Sequence, residues 1–494
     1  MTKQEAAIKY ITENYLDFNR LRHDIVADKL QVRVAHSLSA PHNATSVIGD
    51  PAEDAALSGY SLEFKGGEYW REMTKHDINS IVCHCAQEYD ANITSREVMT
   101  ALQSDLIPDV HPLREYINAL PRYTPDQPDW IDFVASQVRV KNNDNIDNLR
   151  PNQYPLGAQG EDKNQQPKQH ITNNIPLTNT ASGEGNNTTP SYTTLHHTTP
   201  SADALWRVCF KKWFVAMVAS WMKDEVVNHQ VLVLIGKQGI FKTTWLEHLI
   251  PPHLRAYACK LANSNDLNKD ERLRIAEFGL ISLDEIDSMN NRELNQLKSV
   301  ITATDVNERA AYAYTKERRV RLASFCASGN RRDFLTDITG NRRWLPFEVE
   351  SIQNPFFTLL PYERMYAQAW ALAQDPLFSY WFDLDEIEVL EEHNQHFRDE
   401  SNEEQLLPIL FDVPAEGRGE FMTTAQISER LVTYGNIKKP MALGRLGVLM
   451  GSMGYRSVTR GNRQARLRGW IVYQRDTEEI AANKKLLAKE CVTV

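Results

Sequence analysis

The sequence predicts an α/β core between a mainly helical N-terminal domain and a C-terminal winged-helix-like domain. Two observations predict the core. The apolar run Val231–Ile235 has the length and β-branched content of a buried strand, and a loop with two glycines joins it to a helix that begins at Lys242. Near the C-terminus, two predicted helices and a basic hairpin indicate the winged helix. The chain has 494 residues, which is enough for three domains.

Composition narrows the class of protein. The net charge is −10 and the pI about 5.8, so the chain as a whole does not coat nucleic acid and any basic surface must be local. No run of about 18 apolar residues is present and the N-terminus has no apolar signal core, so we expect a cytoplasmic protein without a membrane partner. Cys83-His84-Cys85 resembles half of a zinc site, but no second pair accompanies it, which favours free thiols.

Shifts in composition predict the domain boundaries. The segment 141–202 is rich in Asn, Gln, Thr, Ser, Pro and Gly, so it cannot bury enough apolar surface and is predicted to be a disordered linker. An early hairpin is predicted around Gly66-Gly67. The other predicted segments are the N-terminal domain 1–140, the core 203–350, a helical and acidic connector 351–415, the winged-helix-like domain 416–480 and a tail 481–494.

The loop after the first core strand has the pattern of a phosphate-binding loop. Its backbone N–H groups and the helix N-terminus would face a β-phosphate, Lys242 would reach the β- and γ-phosphate oxygens, and the Thr243 hydroxyl would bind Mg²⁺. Phe241 replaces the glycine that usually precedes the lysine, and we expect it to affect nucleotide affinity more than function. The candidate nucleotide-binding residues are Gly236, Gly239, Lys242, Thr243 and Thr244.

Two further apolar strands end in polar residues. The first ends in Asp284 and Glu285; at a sheet's carboxyl edge Asp284 can hold Mg²⁺ and Glu285 can polarise an attacking water. The second ends at Asn330, which is placed to meet a γ-phosphate or the lytic water, although a helix cap or a turn would also explain it.

A glycine turn then presents Arg342 and Arg343. The planar guanidinium suits the charge of a phosphoryl-transfer transition state, and in a ring a neighbouring subunit could supply it. A pair of surface arginines would have the same sequence.

The order of these motifs resembles the superfamily 3 helicase-like ATPases of the AAA+ group, and more specifically the virulence-associated protein E family of phages and mobile elements, of Bacteroidetes type. The resemblance covers residues 205–350. It implies ATP and Mg²⁺ as ligands and an ATP-dependent DNA helicase or translocase that works as a homo-oligomeric ring, such as a hexamer. The implied roles are nucleotide and Mg²⁺ binding for Lys242 and Thr243, metal binding for Asp284, general base for Glu285, sensor for Asn330 and arginine finger for Arg342 or Arg343.

Two basic segments are candidate DNA contacts. The first lies between the acidic strand and the Asn330 strand, where cations alternate with Tyr312 and Tyr314; it predicts either a hairpin aimed into a ring's pore or a solvated hairpin. The second is the winged-helix-like region, which could also bind protein. The candidate DNA-binding residues are Arg309, Lys316, Arg318, Arg319, Lys438, Lys439, Arg445, Arg456, Arg460, Arg463, Arg466 and Arg468; Arg321 follows the first group.

The same motifs allow a second function, a nucleotide-gated DNA-binding regulator or assembly protein that does not unwind DNA. Primase activity in residues 1–140 is a third hypothesis, but neither a zinc ribbon nor a paired carboxylate motif supports it.

Overall fold

The structure is a computed structural model that describes residues 2–35, 68–89, 92–141, 200–261, 269–308, 317–335, 341–414, 419–461 and 466–490. These residues form two compact units. One contains the described residues within 1–141, 194–334 and 342–397, and the other those within 335–341 and 398–494. Most of the predicted linker, and the Gly66-Gly67 turn of the predicted hairpin, lie outside the described residues.

The N-terminal segment contains a four-stranded sheet, in the order β3-β2-β1-β4, in addition to the predicted helices. Its hairpin joins β1 and β2 through Asp28, which has a positive φ of 56°. Helices cover the sheet with apolar side chains such as Ile11 and Ile81. The elements are α1 (Lys3–Ile11), β1 (Leu21–Asp24), β2 (Lys29–Ala35), β3 (Glu68–Glu72), α2 (Lys75–Tyr89), α3 (Ser95–Leu102), β4 (Asp109–Val110), α4 (Pro112–Ala119), α5 (Trp130–Ala135) and β5 (Val138–Val140).

The core is a mixed α/β fold around a six-stranded sheet, in the order β5-β12-β6-β11-β8-β7. The five strands from β12 to β7 are parallel, as the predicted α/β class requires, and β5 joins β12 antiparallel. The elements are α6 (Ala202–Met222), β6 (Val231–Ile235), α7 (Lys242–His248), β7 (Ala258–Leu261), α8 (Lys269–Glu277), β8 (Leu280–Leu283), α9 (Asn291–Thr302), β9 (Asp305–Glu308), β10 (Glu317–Val320), β11 (Ser324–Gly329), β12 (Trp344–Ile352), α10 (Tyr362–Gln374) and α11 (Leu384–Gln395).

Helix α6 is the main hydrophobic support of this sheet. Trp206, Trp213 and Trp221 are all at most 1% exposed, so its aromatic stripe serves core packing rather than base stacking. The Trp213 indole donates to the carbonyl of Phe325 on β11, and the Trp206 indole donates to the carbonyl of Ala135 on α5.

The N-terminal segment and the core are one compact unit, which differs from the separate domain that the sequence predicts. Strand β5 extends the core sheet, and the Tyr257 hydroxyl donates to the buried carboxylate of Asp24 at 2.5 Å. The boundary near residue 140 was placed where composition changes, but composition does not show that β5 pairs with β12, some 200 residues later in the chain.

The second unit contains the two helices and two strands predicted for the winged-helix-like region, together with additional elements at both ends. Its core includes Leu407, Leu446 and Trp470. The C-terminal part of this unit begins at Arg398, so the predicted connector 351–415 is divided between the two units. The elements are α12 (Asn402–Leu410), β13 (Phe411–Asp412), β14 (Glu420–Met422), α13 (Thr424–Gly435), α14 (Leu443–Ser452), β15 (Arg456–Arg460), β16 (Leu467–Gln474) and α15 (Thr477–Glu490).

Candidate functional site

The loop between β6 and α7 has the backbone geometry of a tight cradle. Gly236 approaches β12 so closely that a Cβ there would lie 2.7 Å from the carbonyl oxygen of Val349, and Gly239 has a φ of 86°. Phe241 also has a left-handed backbone, with a φ of 67°, which is strained for a bulky residue. Its ring meets the ring of Phe356 edge-on at 6.4 Å. Phe241 therefore adopts a conformation that glycine would adopt without strain.

Lys242 is folded back over this loop. Its ammonium donates to the carbonyl oxygens of Gly236 at 2.8 Å and Lys237 at 2.7 Å, and to Asn330 Oδ1 at 3.3 Å. Burial lowers the pKa of Lys242, while the negative charges of Asp287 and Asp284 act in the opposite direction. The ammonium is therefore positioned between β6 and β11, over the space that the loop encloses.

Asp284 and Thr243 are connected through Ser328. Ser328 Oγ donates to Asp284 Oδ1 at 2.7 Å, and Thr243 Oγ1 lies 2.9 Å from Ser328 Oγ and donates to Asp284 Oδ1 at 3.2 Å. Burial alone would raise the pKa of Asp284, but hydrogen bonds from Lys260 and Ser328 outweigh it and lower that pKa. Asp284 is therefore ionised at neutral pH beside a hydroxyl of the loop.

Glu285 and Asn330 complete a cavity of about 300 Å³ at the carboxyl edge of the sheet. Glu285 is exposed and has a left-handed backbone with a φ of 51°. Asp287 accepts the backbone N–H groups of Asn330 and Arg331, which fixes Asn330 at the rim. The cavity is lined by Gln238, Gly239, Phe241, Lys242, Thr243, Thr244, Asp284, Glu285, Ser328, Gly329 and Asn330.

These side chains fit a Mg²⁺ that arrives with phosphate. Hydroxyl and carboxylate oxygens are the donors that Mg²⁺ prefers, and Thr243 and Asp284 supply them side by side. Within the described ranges no three His, Cys, Asp or Glu side chains form a metal cluster. Because Mg²⁺ is commonly held by one or two carboxylates together with substrate phosphates, the donor set suits a metal–nucleotide complex more than a resident metal.

Arg342 and Arg343 lie at the opposite edge of the sheet. They directly precede β12, whose first residue, Trp344, pairs with Val231, the first residue of β6. The loop follows the last residue of β6 and therefore lies at the other end of that strand. The length of β6 separates the two edges by about 16 Å. The arginines line a second cavity of about 330 Å³ together with residues that include His229 and Trp381. The structure therefore does not bring them to the cavity of their own chain.

The first group of predicted DNA-binding residues is only partly accessible. The Arg318 side chain is 76% exposed and pairs with Asp305, whereas Arg319 is 19% exposed and pairs with Asp28 and Glu277. Arg309 and Lys316 lie outside the described residues. Strands β9 and β10 form the predicted hairpin at its base.

Arg321 is not a surface cation, which corrects its grouping with the hairpin. It is fully buried and donates to carbonyl oxygens at and after the C-terminal end of α9, those of Val300, Ile301 and Ala303, and to the carbonyls of Asn228 and Ala323. Burial lowers the pKa of Arg321 to about 9, so it keeps its charge at neutral pH.

The basic residues of the second unit are exposed. Arg456 and Arg460 lie on one face of β15, the face that also bears Leu467 and Ile471 of β16, and the Arg460 guanidinium lies 4.7 Å from the centre of the Phe421 ring. Arg463 lies outside the described residues. The exposed candidates are Lys438, Lys439, Arg445, Arg456, Arg460, Arg466 and Arg468.

Three residues of the carboxyl-edge site were not assigned a role from the sequence: Ser328, Asp287 and Lys260. Ser328 lies two residues before Asn330, and Asp287 lies two residues after Glu285. Their polar side chains beside the motif residues were a signal that could have identified both. No such signal was present for Lys260, because strand β7, which carries it, was not predicted.

The fold and site define a mixed α/β protein whose parallel sheet holds a lysine, a hydroxyl and two carboxylates around one cavity. Residues 186–404 match the model of the virulence-associated protein E-like domain, which confirms the resemblance seen in the sequence. A search of curated proteins finds no match. Among the described residues, no helix combines the length and hydrophobicity needed to cross a bilayer.

Solved structures of the NrS-1 C-terminal region are similar over nearly the whole chain at low identity. One apo structure is 10% identical and has a TM-score of 0.39, covering 95% of this chain and 99% of that chain. An A-form apo structure is 9% identical with a TM-score of 0.36, covering 96% of this chain and 100% of that chain. Another A-form apo structure is 10% identical with a TM-score of 0.37, covering 93% of this chain and 98% of that chain.

Proposed function

We propose that the chain binds ATP with Mg²⁺ and hydrolyses it to move along or unwind DNA during replication of a phage or mobile element. The observation that supports this most is the convergence of Lys242, Thr243, Asp284, Glu285 and Asn330 on one cavity at the carboxyl edge of a parallel sheet. The virulence-associated protein E-like domain supports the biological setting. A P-loop ATPase core of the AAA+ type is the fold that this proposal implies.

Each residue has a chemical role in this proposal. Lys242 exchanges its carbonyl partners for the β- and γ-phosphate oxygens, which it can do by rotating a flexible side chain. Mg²⁺ bound with the nucleotide, next to Thr243 and Asp284, would neutralise phosphate charge. Glu285 orients the attacking water and accepts its proton, and the Asn330 amide contacts the γ-phosphate or that water.

The position of the two arginines supports a ring. Arg342 and Arg343 cannot reach the cavity of their own chain across about 16 Å of sheet. A second copy that packs head to tail could present its own arginines there, and head-to-tail contacts generate rings when the rotation closes. We therefore propose a homo-oligomeric ring such as a hexamer, with the arginine finger acting between subunits.

Subunit mixing tests this arrangement. An Arg342→Ala/Arg343→Ala variant and a Lys242→Ala variant should each lack ATPase activity, because one lacks the arginines and the other the lysine. Mixed rings should regain activity, since random mixing pairs an intact cavity with intact arginines at about a quarter of the interfaces. Phosphate release from each variant and from the 1:1 mixture measures this. A mixture no more active than its components would contradict the proposed ring.

DNA is the proposed partner because the second unit combines exposed cations with a half-buried aromatic ring on the same face. Arg456, Arg460 and Phe421 lie on one face of the β14–β16–β15 sheet. Cations can contact phosphates and an aromatic ring can stack on a base. With α13 and α14 beside this sheet, we propose a winged-helix-like DNA-binding unit; the unpredicted β14 supplies Phe421.

Lys242→Ala tests the ATPase. We expect it to abolish measurable ATP hydrolysis and to weaken binding of a fluorescent ATP analogue, because it removes the ammonium that lies over the loop. Single-stranded DNA should stimulate the unsubstituted chain and not the variant. Lys211→Ala is the control, because Lys211 pairs with Asp129 outside the cavity. Hydrolysis that persists in Lys242→Ala would overturn the proposal.

A nucleotide-gated DNA-binding protein without unwinding activity is the second candidate. One observation favours it: the chain alone holds Lys242 against its own carbonyls and has its arginines at the far edge, so an isolated subunit is incomplete for catalysis. A strand-displacement assay with a forked duplex separates the two candidates. ATP-dependent DNA binding without displacement of the strand would favour the second.

A further inference from the structure

Lys260 places a positive charge on the proposed metal ligand. It extends from the edge strand β7, and its ammonium lies 2.9 Å from Asp284 Oδ2. The parallel register pairs Lys260 with Ser282, and the Asp284 N–H donates to the carbonyl of Leu261, so the backbone holds the two side chains together. A second carboxylate is near, because the Lys260 ammonium is 3.7 Å from Glu247 Oε1 on α7.

Both oxygens of Asp284 are engaged in this arrangement. Oδ1 accepts from Ser328 and Thr243, and Oδ2 is paired with Lys260. A divalent cation that approaches Asp284 therefore meets the repulsion of the Lys260 ammonium within a few ångströms.

We propose that Lys260 is an internal counter-ion that occupies the Asp284 carboxylate and makes metal binding there depend on the nucleotide. The inference rests on the proposed function, in which Asp284 is a metal ligand. Free Mg²⁺ must compete with the ammonium, whereas Mg²⁺ on a triphosphate brings compensating negative charge to the site. Once displaced, the ammonium can stay close, because the Glu247 carboxylate is also within 3.7 Å of it.

Metal binding without turnover tests the role of Lys260. Mn²⁺ is the probe, and electron paramagnetic resonance measures free Mn²⁺ over a titration of the full chain without nucleotide. Lys260→Met should bind Mn²⁺ roughly threefold to tenfold more tightly than the unsubstituted chain. Lys260→Arg should not bind Mn²⁺ more tightly, because it keeps the positive charge. Lys29→Met is the matched control: Lys29 is 50% exposed against 45% for Lys260, and it also forms a surface ion pair, with Glu72.

The outcomes separate this inference from the proposed function. Adding Asp284→Asn to Lys260→Met should abolish the gain, which assigns the signal to this site, and thermal melting checks that each variant folds. Unchanged or weaker Mn²⁺ binding in Lys260→Met overturns the inference, even where the unsubstituted chain binds Mn²⁺ together with a non-hydrolysable ATP analogue. Absence of binding with that analogue in every variant would instead overturn the proposed ATPase, and this inference with it.

Discussion

Glu285→Gln is expected to reduce ATP turnover about 10²- to 10⁴-fold while ATP still binds. Glutamine has the same size and can still orient a water molecule, but it cannot accept the proton that the water loses. Glu285 is exposed at the cavity rim, so the substitution should not disturb the core. The variant is therefore expected to hold its nucleotide unhydrolysed.

Two measurements on the same sample check this result: steady-state phosphate release and equilibrium binding of a fluorescent ATP analogue. Glu391→Gln serves as the control, because Glu391 is an exposed glutamate on α11. Normal turnover in Glu285→Gln would remove Glu285 from the proposed mechanism. Loss of binding together with turnover would assign it a structural role in the cavity.

Arg321→Met is expected to destabilise the first unit by about 3 kcal/mol or more. The guanidinium donates to carbonyl oxygens near the end of α9 and to that of Asn228, and a thioether cannot replace those donors in a buried site. Methionine fills a similar volume and removes a buried charge, which offsets part of the loss. Because the chain has two units, the quantity to follow is the shift in melting temperature of the transition in which the first unit unfolds.

Arg318→Met is the matched control, three residues earlier in the same chain segment. Its side chain is 76% exposed and pairs only at the surface with Asp305, so it should leave the melting temperature nearly unchanged. It should instead weaken binding of single-stranded DNA if the hairpin contacts DNA. Equal melting temperatures for the two variants would contradict the structural role of Arg321.

The sequence predicted the cavity because its residues follow parallel strands. Asp284 and Asn330 come directly after apolar strands, and Lys242 follows one after the loop 236–241. The carboxyl ends of parallel strands share one edge of a sheet. The same rule explains the position of Arg342 and Arg343, but only once β12 is known, and that strand was not predicted from the sequence. Residues that precede a parallel strand lie at the other edge of the sheet, so the two arginines lie far from Lys242.

Other features depend on pairing that local pattern does not contain. Lys260 meets Asp284 only because β7 lies beside β8, and strand order is a tertiary property. Arg321 stands within a run of cations, and its burial depends on the carbonyl groups at the end of α9. The sequence showed the charge of both residues but not the groups that surround them.

The pairing of β5 with β12 determines how the protein can be divided for experiments. A fragment that starts at residue 186, where the family match begins, would lack β5 and α5, leave one side of β12 without its hydrogen-bonding partner and remove the acceptor of the Trp206 indole. An unprotected strand edge invites pairing with other chains and aggregation. Experiments on the matched region should therefore include residues 112–141 as well. These residues can be fused to that region or added as a separate polypeptide.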